Sequence, residues 1–81
     1  MTTTTLAQAL SVSDQTITVT DAVLTAGTVA AFDSEYVAVL ELFTATQARV
    51  RRGVNGTRAQ AHTAGVLVSV GTPDAFLTGP A

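Results

Sequence analysis

The residues able to do chemistry crowd into one segment, "RVRRGVNGTRAQAHTAGVLVSV" (49 to 70), which carries all four arginines, the only histidine, an Asn-Gly pair and two further glycines. A phosphate-cradling loop would need a glycine-rich turn feeding a helix N-terminus, with Lys and Ser or Thr at fixed offsets. "GVNGTRAQ" has neither the lysine nor the spacing, so a glycine-shaped connection between strands is the better reading. His62 could serve as a general base or metal ligand, but the chain has no second His and no Cys to share a metal with it. The expected arrangement is one ring nitrogen on a loop carbonyl, with the ring lidding the loop. Asp33 and Glu35 could form an acid pair of the glycosidase type, yet they fall at a hairpin tip, where turn chemistry and solvent account for them. Arg49 and Arg51, with Arg52 and Arg58 close by, can grip phosphate or pair with a partner's carboxylates.

Composition decides between those last two. The chain of 81 residues has six carboxylates against four arginines and a net charge of −2, whereas a nucleic-acid binder shows a basic excess. No aromatic residue interleaves the arginines for base stacking. Salt bridges to protein are therefore expected, with no nucleic acid as partner. Only 12% of residues are charged while 47% are apolar, a lean polar surface for a small monomer. Without cysteine there are no disulfides, and oligomerisation or docking on an assembly is the remaining common source of stability. No apolar run reaches the length of a membrane span, and "MTTTTLAQAL" lacks the basic start and long apolar centre of a signal peptide. The chain is expected to be made in the cytoplasm, with no membrane partner.

The elements that must position these residues read as strands. "QTITVTD" (15 to 21) alternates Thr with Ile17 and Val19, the period of a half-buried strand. "TAGTVAAFDSEYVAVLEL" gives strands 28 to 32 and 36 to 42 around Asp33-Ser34-Glu35. In the second, Tyr36, Ala38, Leu40 and Leu42 fall on one face and Val37, Val39 and Glu41 on the other; both faces are largely apolar, so the strand is either central in a sandwich or exposed to a partner. Over 45 to 52, Ala48 and Val50 point one way and Arg49 and Arg51 the other. Gly53, Asn55-Gly56 and Gly65 mark turns, leaving "TRAQAH" room for one helical turn, before a last strand over 66 to 70. Five to six short strands with no heptads make an all-β, single-domain chain, a small barrel or sandwich. Residues 1 to 70 form the β module, opened by a Thr-rich arm, and 71 to 81 an irregular tail. Phe76 and Leu77 lie in that tail among Gly and Pro, and are expected to reach a neighbouring subunit.

The sequence resembles a small β module that recurs in structural proteins of tailed bacteriophages. The resemblance covers about residues 2 to 70: the "TTTTLA" opening, "DQTITVT", the strand ending in "DSE", and the more specific block Arg52 to Gly65, "RGVNGTRAQAHTAG". It implies that Arg52, Asn55, Gly56, Thr57, His62 and Gly65 shape one loop, with no catalytic residue, metal or cofactor. It also implies a virion structural protein, foremost a capsid decoration or cement protein bound to the major capsid protein or other virion proteins. Head-tail connector, tail or baseplate proteins are the alternative, ahead of a carbohydrate- or nucleic-acid-binding module. A homo-oligomer, a trimer among the options, is expected, with Tyr36, Leu40, Arg49, Arg51, Phe76 and Leu77 in contact with partners.

Overall fold

The structure, a computed structural model, describes residues 2–73. The fold is all-β, with six strands and no α-helix among the described residues: β1 Thr2–Thr5, β2 Thr16–Thr18, β3 Val29–Phe32, β4 Glu35–Leu42, β5 Gln47–Arg51 and β6 Leu67–Gly71. They form one sheet in the order β1-β6-β3-β4-β5-β2, every pair antiparallel. The sheet curls until its two outermost strands meet. Leu6 bridges Val19, and the backbone N–H groups of Ala7 and Thr20 donate to Thr18 and Thr5 carbonyls, each at 2.9 Å.

Alternation explains which side faces in. Cross-strand neighbours share a face, and the register lines up Val70 with Ala30, Ala30 with Val37, Val39 with Val50, and Ala48 with Ile17. All are buried, and with Leu6, Leu10, Leu24, Phe32 and Val68 they make one core. Arg49 and Arg51 point outward from β5, as the alternation requires.

Three expectations need correction. The opening threonines are not an arm: β1 pairs with β6, Thr4 is buried, and Leu6 and Leu10 belong to the core. Thr4 is accommodated there because its hydroxyl donates to Asp21 Oδ2 at 2.9 Å and accepts from the Asp21 N–H at 3.0 Å. The unbroken alternation expected over residues 36 to 42 is also interrupted. The pairing shifts between Val39, opposite Val50, and Glu41, opposite Arg49, so Leu40 is the extra residue of a β-bulge. Beyond it Glu41 shares the outer face with Arg49, and Leu42 takes the side of the buried Ala48. Finally, residues 57 to 62 form no helical turn, because their backbone groups are bonded elsewhere.

Candidate functional site

Asp33 and Ser34 make the loop between β3 and β4, so Glu35 opens β4 directly opposite Phe32. That register turns both side chains inward. Asp33 sits at φ +54°, a region Asp tolerates better than most residues. Its carboxylate remains half-exposed while that of Glu35 is fully buried.

Five groups converge on the Glu35 carboxylate. Oε2 accepts from Arg52 Nε at 2.7 Å and from the Gly53 N–H at 3.1 Å. Oε1 accepts from Arg52 Nη2 at 2.9 Å and the Gln60 N–H at 3.1 Å, and lies 2.7 Å from His62 Nε2. The guanidinium is also fully used. Its remaining N–H groups donate to the Ser11, Asp14 and Gln60 carbonyls at 2.8, 2.7 and 2.7 Å, which accounts for all five of its donors. His62 is buried, its Nδ1 lies 2.6 Å from Asp33 Oδ2, and its ring meets Phe32 edge-on at 4.6 Å. Carboxylate oxygens accept only, so both ring nitrogens are paired at once when both carry a proton. In that form Glu35, Asp33, Arg52 and His62 balance to zero net charge.

Burial pushes the Glu35 acid upward, but the hydrogen bonds from Arg52, then those from His62 and the Gln60 N–H, and the Arg52 charge outweigh it. The result is a pKa lowered from 4.5 to about 2. The carboxylate is thus an anion held by an excess of donors, the opposite of the raised acid that a proton donor needs. Chain segments around Ser11 to Asp14, Asp33 to Glu35, and Arg52 to His62 meet on this one group. The His62 backbone adds two bonds to Leu10, at 2.9 and 2.8 Å.

The structure brings the loop residues of the sequence reading together. Asn55 and Gly56, at φ +56° and +82°, form a tight turn closed by the Thr57 N–H on Val54 O at 3.2 Å. Thr57 Oγ1 donates to Val54 O at 2.7 Å and accepts from the Tyr36 N–H at 3.0 Å, tying the turn to β4. Gly53 donates to Glu35, and Gly65, at φ +93°, donates to Leu6 O at 2.8 Å.

Other expectations change. His62 does not lid the loop over a carbonyl; its ring bridges two carboxylates. Asp33 does sit at the exposed loop, but Glu35 is not part of a solvated tip, since the two-residue loop carries it into the core. Arg49 does not await a partner's carboxylate alone, because Nε donates to Glu41 Oε1 at 2.9 Å on its own surface. Arg51 and Leu40 are exposed, Tyr36 is half-buried, and Phe76 and Leu77 lie outside the described residues. Glu35 was weighed only as a turn acid, and Gln60 was not singled out. For Glu35 the signal was present: alternation read backward from Val37 and Val39 places it on the core face. Gln60 contributes only backbone atoms, which no side-chain pattern reveals.

A groove of about 510 Å³ beside the cluster is lined by Val12, Ser13, Gln15, Leu40 and residues 49 to 52. Arg52 reaches its wall, whereas Glu35 and His62 do not. No protein-family model matches the chain, and no curated protein matches it.

Proposed function

We propose that the chain is a bacteriophage virion structural protein, a capsid decoration or cement protein that binds between major capsid subunits and stabilises the head. The observation that carries this reading is the use made of Arg52 to Gly65, the block in which the phage resemblance is most specific. Its Arg52, Gly53, Thr57, His62 and Gly65 are spent on hydrogen bonds that hold this chain together. Such a segment supplies a rigid small body whose outer surface is left for contact. That surface offers apolar Leu40, Phe43 and Leu67 together with Arg51 and Arg58, a mixture suited to a protein partner.

The test is to add tagged protein separately to DNA-filled heads and to isolated tails of a phage grown on the producing host, then sediment both. Co-sedimentation with heads, at a fixed number of copies per particle and with heads more resistant to heat, is expected. Binding to tails alone would move the assignment to a tail or baseplate protein. Binding to neither would contradict the proposal.

A further inference from the structure

The outer face of β4 and β5 carries charges in an unusual order. Arg51 lies across from Ala38, Glu41 lies across from Arg49, and the bulged Leu40 stands between these two levels. Leu40 is 40% exposed although it sits in the middle of a strand pair. A bulge re-aims a side chain in this way. The Arg51 side chain makes no hydrogen bond or ion pair among the described residues, and Glu41 uses Oε1 on Arg49 while Oε2 is uncommitted. One surface therefore presents, in sequence across it, the Arg51 cation, an apolar side chain, and the Glu41 carboxylate, one oxygen of which holds Arg49 on the same face while the other is uncommitted. The other described carboxylates are engaged within the chain: Asp14 by the Ser11 N–H, Asp21 by Thr4, Asp33 by His62, and Glu35 by Arg52.

This order is self-complementary. A two-fold axis lying in the contact plane, and crossing the line from Arg51 to Glu41 at its midpoint, sets each Arg51 against the other copy's Glu41. Leu40 of each copy then falls beside the axis. Isologous contacts require that a residue i which meets j also find j meeting i, and this face satisfies the condition with two Arg51–Glu41 contacts around an apolar centre, each Glu41 bridging its own Arg49 and the other copy's Arg51. Leu40 and Arg51 also border two surface hollows, one toward Val12 and Gln15 and one toward Thr28 and Val54, which leave room for the partner's side chains. We propose that this face binds a second copy of the chain, forming a two-fold dimer through Leu40, Arg51 and Glu41. The dimer follows from the surface itself and holds whether or not the chain serves in a virion.

The experiment is sedimentation of the full chain across the micromolar range, alone and in mixtures. Wild type is expected to dimerise with rising concentration. Arg51→Glu alone and Glu41→Arg alone each set like charges against each other twice per dimer, and each is expected to raise the dissociation constant about tenfold or more. A one-to-one mixture of the two variants restores both attractive pairs. In the mixed dimer the two substituted positions face each other with opposite charges, and the unchanged Arg51 of one chain meets the unchanged Glu41 of the other. Recovery of dimer in the mixture is the predicted result. Circular dichroism of each variant confirms the fold, which substitutions on outward residues should leave intact, and Leu40→Ser provides a charge-independent loss of dimer. A wild type that stays monomeric, a wild type that forms trimers, or a mixture no more associated than its components would overturn the proposal.

Discussion

At the scale of single residues, Glu35 stands apart because a buried carboxylate is tolerated only with its partners in place. Removing one partner of such a pair strands the other charge and costs about 3–5 kcal/mol. Glu35→Gln keeps the shape but removes the charge that Arg52 and His62 face, so a loss of that size is expected in urea unfolding. The pH dependence should follow. The unfolded chain takes up the Glu35 proton near 4.5 and the folded chain only near 2, so acidification between these values favours unfolding. The contribution of this carboxylate is complete above pH 4.5 and gone once pH falls below 2. That window corresponds to about 3 kcal/mol, and the Glu35→Gln variant should lose less stability across it than wild type. An equal slope in both proteins would contradict the assignment. The sequence made Arg52 and His62 conspicuous, while their common partner was open to two readings: an acid beside Asp-Ser reads as part of a turn, although alternation back from Val37 and Val39 points it inward.

At the scale of elements, turns were the most legible part and the closure of the sheet the least. Asn55-Gly56 announced its positive φ, and the structure has it. The two turn glycines nonetheless differ in environment. A methyl group at Gly56 would meet nothing within 4 Å, whereas at Gly53 it would lie 3.1 Å from the Ala59 nitrogen and 3.2 Å from the Thr57 carbonyl oxygen. Gly56→Ala should therefore cost only the conformational strain of about 1–2 kcal/mol, and Gly53→Ala should cost more and lower the melting temperature further. Equal losses would mean that backbone crowding around Gly53 has no effect. The opening strand was misread for a physical reason: Thr4 is buried through its hydroxyl bonds to Asp21, and a hydroxyl carries no hydrophobic signal. Deleting residues 2 to 5 leaves β6 unpaired on one side and exposes Val68 and Val70. Cooperative unfolding should then be lost or shifted far down in temperature; an unchanged melting curve would restore the arm reading. The bulge at Leu40 belongs to the same class of hidden feature, because an extra residue in a ladder is defined by the partner strand and not by the strand's own alternation.

For the whole molecule, the all-β class was legible from strand periods and turn residues, while the way the parts cohere was not. The sheet alone does not account for the placement of residues 53 to 65, which contain no strand. They are held through Glu35 and Arg52, so the loop should unfold with the core and not before it. Segments lacking such anchors open locally at low free energy, and those tied to the core open only with it. Native-state hydrogen exchange of the intact wild-type protein measures this directly, because the Gly53 and Gln60 amides donate to the Glu35 carboxylate and lie in the loop. The account predicts that these two amides exchange with the same opening free energy as that of the buried Val39, whose N–H donates to the Thr28 carbonyl at 2.9 Å. Exchange of Gly53 and Gln60 orders of magnitude faster than Val39 would show that the buried cluster does not hold the loop, and would contradict the account.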